Sequence, residues 1–185
     1  MATLALINGA PSAGKSTIAE RYAEEHPLAL VLDIDVVRGL LGHWRGSPTE
    51  AGLHARDLAI GMARTHLLAG HDVVVPQLLA RIDFIERLEA LSLEVGCPFV
   101  EVVLLTGPDE AERRFERRSA APTDDRHRDA SALQSTPGTP SIREYYERML
   151  GVVDQRPGTV RIDAADGDVD GTYRAFLAAM DAATR

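Results

Sequence analysis

I-N-G-A-P-S-A-G-K-S-T, residues 7–17, is the stretch that decides how this chain folds. Within it, Gly9, Gly14, Lys15 and Ser16 stand at the spacing of a phosphate-binding loop: two glycines, then a lysine and a hydroxyl. Such a loop works because consecutive backbone N–H groups converge on one concavity at the start of a helix. Gly9 and Gly14 permit the turn and let phosphate oxygens approach the backbone. Lys15 is expected to reach the β- and γ-phosphates of ATP, and the Ser16 hydroxyl to ligate Mg²⁺. The loop needs a strand before it and a helix after it. The flanks T-L-A-L-I-N (3–8) and S-T-I-A-E-R-Y (16–22) supply both. The expected nucleotide contacts in this stretch are Gly9, Ser12, Ala13, Gly14, Lys15, Ser16 and Thr17.

Outward from the loop, short β-rich apolar runs alternate with longer segments of helical period. That is the pattern of an α/β protein with a parallel sheet and helices on both faces. The first helix opens at Lys15 and is closed by Pro27, and residues 28–35 read as the second strand. Residues 50–69 read as a helix with Leu53, Ile60, Ala63 and Leu67 on one face. A third strand is expected over 72–77, followed by a helix carrying Phe84, Leu88, Leu91 and Val95. The fourth strand spans 99–107 and a charged helix 108–118. Ile142, Tyr145, Tyr146, Met149, Leu150 and Val153 mark an amphipathic helix. The fifth strand falls at 159–163, and Tyr173, Phe176, Leu177 and Met180 mark the last helix. Residues 119–140 hold three prolines and scarcely any large apolar side chain. A stretch of that kind within a single domain (1–185) is expected to be a lid or a flexible segment.

Composition narrows the class. The 185 residues are 45% hydrophobic and 26% charged, an ordinary globular mixture with a normal core. A formal net charge of −8 disfavours a broad nucleic-acid surface, while leaving room for a local basic cleft. Cys97 has no partner for a disulfide, which points to a reducing compartment. No export signal and no membrane-spanning run is visible, so a cytoplasmic location without membrane contact is expected. Lys15 is the only lysine among 20 basic residues, the rest being arginine. That lysine sits where phosphate chemistry requires one.

A GTPase needs an Asn-Lys-x-Asp base reader, which a chain with no lysine beyond Lys15 cannot contain. Asp168-Val169-Asp170-Gly171 imitates a GTPase Asp-x-x-Gly, but it precedes the final helix and reads as a turn and cap. Motor-type ATPases carry an acid at the end of a later strand. Here the third and fourth strands end V-V-V-P-Q and V-V-L-L-T-G. The second strand instead ends in Asp33 and Asp35, the arrangement of small phosphotransferases.

With the loop at 9–17, the acids at 33–38 and the arginines at 113–118, the chain resembles the small-molecule and polynucleotide P-loop kinases. That group includes chloramphenicol phosphotransferase, shikimate and gluconate kinases and the kinase part of 5′-polynucleotide kinases. The resemblance implies the nucleoside-monophosphate-kinase-like fold: a three-layer P-loop NTPase, with a five-stranded parallel sheet in the order 2-3-1-4-5 and an arginine-rich lid. It also implies Asp33 on a Mg²⁺-bound water and Asp35 as base at the acceptor hydroxyl. Either acid is also suited to capping a helix that starts near Val36. Arg38, three residues past Asp35, is implied as an acceptor contact, and is equally suited to an exposed ion pair. Gln77, at the third strand tip, is a further acceptor contact, with Pro76 a departure from the usual pattern.

In E-A-E-R-R-F-E-R-R-S (110–119), helical geometry puts Arg114 and Arg118 beside Ala111 and Phe115, with Arg113 and Arg117 on the solvated side. Arg114 and Arg118 are therefore the expected site arginines. By resemblance one stacks on adenine and the other meets phosphate, with Arg118 joining Lys15 and Asp35 in catalysis. Arg126 and Arg128 are candidates to clamp the transferring group when the lid closes. Trp44 either stacks on an acceptor or packs.

The leading expectation is an ATP- and Mg²⁺-dependent phosphotransferase acting on a hydroxyl of a small molecule such as an antibiotic, sugar or metabolite. A 5′-hydroxyl polynucleotide kinase is the alternative that Asp35-x-x-Arg38 supports. An ATP-binding switch with slow hydrolysis, docking a partner through 119–140, is the alternative outside transfer chemistry.

Overall fold

β1 (Leu4–Gly9) is buried at every position, and its alternate side chains serve opposite layers. Leu4 and Leu6 enter one apolar layer while Ala5 and Ile7 enter the other. The computed structural model describes residues 2–122 and 125–184, the side chains of 125–127 excepted. Four further strands, β2 (Leu30–Val31), β3 (Val73–Pro76), β4 (Phe99–Leu105) and β5 (Val160–Asp163), run parallel to β1. Their order is β2-β3-β1-β4-β5, so β1 is central and the loop that follows it emerges mid-sheet. Open α/β sheets bind ligands outside the carboxyl ends of their strands, at such a point.

The helices among the described residues are α1 (Lys15–Glu25), α2 (Ile34–Gly39), α3 (Pro48–Leu68), α4 (Asp83–Val95), α5 (Pro108–Ala120), α6 (Asp125–Gln134), α7 (Ile142–Val153) and α8 (Val169–Ala183). α2, α3 and α4 cover one face of β1 and β3, and α1 and α8 the other. A third apolar group joins α5 and α7 to β4 through Phe115, Tyr146, Met149 and Val103. Between strand and helix on that side lies a buried ion pair. Glu101, on β4, accepts from Arg156 Nε at 2.5 Å and from Thr159 Oγ1 at 2.9 Å.

Three elements differ from the sequence expectation. The second strand is two residues long rather than the run 28–35. Leu28 has φ 65, and Ala29 N–H turns back to His26 O, so the chain enters the sheet only at Leu30. At the other end, Asp33 accepts from Asp35 N–H at 2.8 Å and starts α2. A side-chain cap satisfies an amide that the strand would otherwise have to pair, and here it wins over the apolar run.

α3 buries Ala51, Ala55, Ala59, Ala63 and Leu67, leaving Leu53 56% exposed. Small side chains every fourth residue let α3 lie close against α2; of the face read from the sequence, Ala63 and Leu67 are buried and Ile60 packs against the core, while Leu53 alone turns outward. Within 119–140, α6 replaces part of the expected loop. It is tied down by Ser131 Oγ donating to Ser119 Oγ and by Gln134 Nε2 donating to Pro140 O, both at 2.7 Å. Other boundaries fall within a few residues of expectation, and Asp168 caps α8 by accepting from Gly171 N–H, as read. Among the described residues, no helix is long and apolar enough to cross a membrane.

Candidate active site

The loop between β1 and α1 holds its shape through three backbone devices. Gly9 (φ +153) passes so close to β4 that an added Cβ would sit 3.1 Å from Leu104 O and 3.2 Å from Leu104 Cβ. Ser12 (φ 64) and Gly14 (φ 94) turn the chain in the left-handed region. Beneath them, Asn8 is fully buried and spends its whole amide on backbone. Its Oδ1 accepts from Gly9 N–H at 2.8 Å and Leu79 N–H at 2.9 Å, and its Nδ2 donates to Leu79 O at 3.0 Å. Asn8 thereby locks the loop to the segment after β3. Sequence reading passed over it. The signal was a polar residue inside an otherwise apolar strand, which a buried position must satisfy.

No side chain caps α1, so its first amides remain for an anion. Lys15 Nζ donates to Gly9 O at 2.9 Å and Ala10 O at 2.8 Å. Burial lowers its ammonium to about 8, the positive field of Arg118 adds to the drop, and Asp33 and Asp35 oppose it. The charges that act on Lys15 thus come from α5 and from the start of α2. Ser12 Oγ is buried with no hydrogen-bond partner.

Next to the loop lies a cavity of about 430 Å³ whose walls include Ala13, Gly14, Thr17, Arg114, Arg118 and Asp168. Its far wall is the turn between β5 and α8, residues 164–168, of which the sequence reading took only Asp168, as a turn and cap. Arg114 fixes that wall, donating to Glu110 Oε1 at 2.6 Å and to Ala164 O at 3.1 Å. Arg113 and Arg117 are exposed, at 67% and 68%, as the helical geometry requires. Arg118 lies over the Phe115 ring, 5.5 Å from its centroid.

On the opposite side, Asp35 pairs with Arg38 Nη2 at 3.1 Å. Arg38 and Arg45 lie over the Trp44 ring at 4.6 and 4.7 Å, so Trp44 packs. Arg45 also grips Asp129 of α6 with two hydrogen bonds, 2.8 and 2.9 Å long. Gln77 N–H donates to Ile7 O, extending the ladder one residue past Pro76, and its Oε1 is buried without a partner. Pro76 is tolerated because the two-residue β2 has already ended beside it. Arg128 is exposed, and the Arg126 side chain is among those not described. Arg56, on α3, was missed: burial lowers its pKa first, with Arg81 adding to the drop and Asp35 opposing it. An α3 face set by alanines rather than by Leu53 would have drawn attention to it.

No group of three or more His, Cys, Asp or Glu side chains converges among the described residues. Ser16 at the head of α1 and Asp33 beside Lys15 fit an ion that keeps water and takes phosphate oxygens, the manner of Mg²⁺, rather than an all-protein cage.

A strand–loop–helix phosphate cradle at mid-sheet, in a sheet ordered 2-3-1-4-5 and faced by acids and arginines, defines a P-loop kinase-type nucleotide-binding protein. The chain belongs to the AAA domain family AAA_33, which it matches over residues 4–136. No curated protein matches its sequence. Solved structures share its fold at low identity. A gluconokinase from Sinorhizobium meliloti 1021 matches with TM-score 0.59 and 14% identity, over 98% of this chain and 94% of its own. The Deinococcus radiodurans tunicamycin resistance protein gives 0.58 and 16%, over 98% and 96%. Chaetomium thermophilum Kti12, in complex with ADP-AlF3, gives 0.62 and 19%, over 97% and 98%.

Proposed function

We propose that this protein transfers the γ-phosphate of ATP to a hydroxyl of a small molecule. The observation that carries the reading is the phosphate loop with Lys15 under the charges of Arg118, Asp33 and Asp35, beside a cavity of about 430 Å³ whose walls include Arg114 and Arg118. In this reading the amides at the head of α1 hold the phosphates, with Gly9, Ser12, Ala13, Gly14 and Thr17 shaping the cradle. Arg118 lies against the polyphosphate. Arg114, already tied to Glu110 and Ala164 O, shapes the base pocket by holding its wall.

Ser16 and Asp33 would hold the Mg²⁺ that enters with ATP, which would supply neutralisation of phosphate charge. Lys15 leaves Gly9 O and Ala10 O to follow the γ-phosphate. Asp35 gives up Arg38, accepts the acceptor's proton and orients its oxygen for in-line attack. Arg38 and Gln77 hold the acceptor. The segment 119–140 acts as the cover, with Arg128 and Arg126 as its phosphate-facing candidates. Positioning and charge neutralisation account for most of the acceleration in such transfers.

The test is transfer of γ-labelled phosphate from ATP into hydroxylated metabolites and antibiotics, run beside 5′-hydroxyl oligonucleotides. Label in a small molecule is the expected result, and Asp35→Asn should cut turnover by about a hundredfold or more with ADP affinity retained. Label in the oligonucleotides would make this a polynucleotide kinase. Free phosphate alone, unstimulated by any acceptor, would favour a hydrolytic switch.

A further inference from the structure

Asp35, Arg38, Trp44, Arg45 and Asp129 stand in one line of contacts that runs from the second-strand acids to α6. Asp35 meets Arg38 Nη2 at 3.1 Å. Arg38 lies over the Trp44 ring, 4.6 Å from its centroid, and Arg45 lies over that ring at 4.7 Å. Arg45 closes the line on Asp129, donating from Nε at 2.8 Å and from Nη2 at 2.9 Å. The members differ in what fixes them. Arg38 Nε is shielded from solvent and donates to nothing, so one carboxylate and the ring hold this guanidinium among the described residues. A tryptophan face attracts a cation most strongly where water is excluded, and Trp44 is buried. The ring itself rides on a three-residue 3-10 turn, Trp44–Gly46, entered through His43 in the left-handed region (φ 53). So short a turn has few bonds of its own to fix a side chain. Arg45 is the next residue of that turn, so the grip of Asp129 on Arg45 steadies the backbone that carries Trp44.

We propose that Trp44 is a positioning residue, through which the seating of α6 on Arg45 sets the place of Arg38 beside Asp35. Its role in transfer rests on the phosphotransferase reading; the coupling of α6 to Arg38 does not. With Asp129 on Arg45, the turn is fixed, the ring stands still and Arg38 keeps its place. With Asp129 withdrawn, the ring loses that support and Arg38 with it. In the reaction, Arg38 then reaches the acceptor and Asp35 its hydroxyl only while α6 is seated, which disfavours transfer to water from an uncovered site. Arg45 is exposed on its side of the pair, so the grip adds little to folding stability and acts on position instead.

A chain of contacts becomes a coupling only when a change at one end is felt at the other. The experiment treats the full chain with phenylglyoxal and reads the modification of each arginine by mass spectrometry of its peptides. Asp129→Ala should raise the rate at Arg38 by about threefold or more, the low end of the coupling between interacting residues. Arg156, as shielded as Arg38 but paired with Glu101, should react as in wild type. Trp44→Leu should give the same rise at Arg38, and Trp44→Phe a smaller one because an aromatic face remains. Asp129→Glu keeps a carboxylate for Arg45 and should hold Arg38 near its wild-type rate. In labelled transfer, Asp129→Ala should lower kcat severalfold with ADP affinity unchanged. An unchanged Arg38 in Asp129→Ala would overturn the coupling, and so would a rise that includes Arg156, which would make the pair a general folding contact. Transfer by Asp129→Ala at the wild-type rate would overturn the positioning role. A rise at Arg38 without Arg156, with no label reaching any acceptor from wild type, would uphold the coupling and sink the phosphotransferase reading.

Discussion

Lys15 should make the stability of this protein depend on pH in a way that nucleotide reverses. Its ammonium rests on Gly9 O and Ala10 O, with burial and Arg118 lowering its pKa from 10.5 to about 8. Between those two values the unfolded chain binds more protons than the folded one, so stability rises with pH in that window. Below about pH 8 the full penalty of the buried charge is present, and it is relieved as pH climbs toward 10.5. Over pH ~7 to ~9.5 the shift corresponds to a gain of about 2 kcal/mol, and the partial solvent contact of the side chain reduces it to roughly 1–2 kcal/mol.

Lys15→Met removes the titrating group and leaves every other one in place. Urea denaturation of the nucleotide-free, metal-free protein across this range should therefore show wild type gaining on Lys15→Met by that amount. ADP should act in the opposite sense, because its phosphates restore the charged form. Affinity should fall by roughly eightfold from pH ~7.5 to ~9, with proton uptake in wild type and none in Lys15→Met. Parallel stability curves for the two proteins would refute the claim that this lysine is desolvated.

Three further expectations concern the frame of the site. Gly9→Ala forces a Cβ against Leu104 in the left-handed region, and should cost about 1–3 kcal/mol in urea denaturation with a measurable loss of ADP affinity. Arg156→Met strands the buried Glu101 and should cost about 3–5 kcal/mol at neutral pH, of which the double change with Glu101→Gln recovers part. Arg45→Ala opens a bridge to Asp129 that is exposed on the arginine side. A double-mutant cycle with Asp129→Ala should return less than about 1 kcal/mol in denaturation, because solvent screens the pair.

The parts of this protein that could be read from its sequence are those specified by neighbours along the chain. Residues 7–17 carry strand, turn and helix signals that agree, and α4 and α8 repeat their large apolar residues at helical spacing. The parts that could not be read depend on contacts between distant segments. The run 28–35 looks like a strand, but Asp33 caps a helix because β3 offers it only a short edge. Leu53 looks inward-facing until α2 is in place, and then the alanines prove to be the packing face. Arg114 and Arg118 were legible because their places on α5 follow from helix geometry alone. Arg56 and the 164–168 turn meet the site only through the tertiary fold, and no local pattern announces them.

The buried amide beneath the phosphate loop has a chemical-ageing consequence. Asn8 is followed by glycine, a pairing whose small neighbour leaves the side chain open to cyclisation and deamidation. Here Gly9 N–H is held on Asn8 Oδ1, and the side-chain nitrogen is committed to Leu79 O. The same bonds that set the loop therefore keep its backbone nitrogen from attacking the side-chain carbon. Conversion to aspartate would set a carboxylate against Leu79 O and weaken the tie between the loop and the segment after β3. Any stress that opens β1 starts that clock, so the shelf life of an active preparation follows how rarely this strand unfolds.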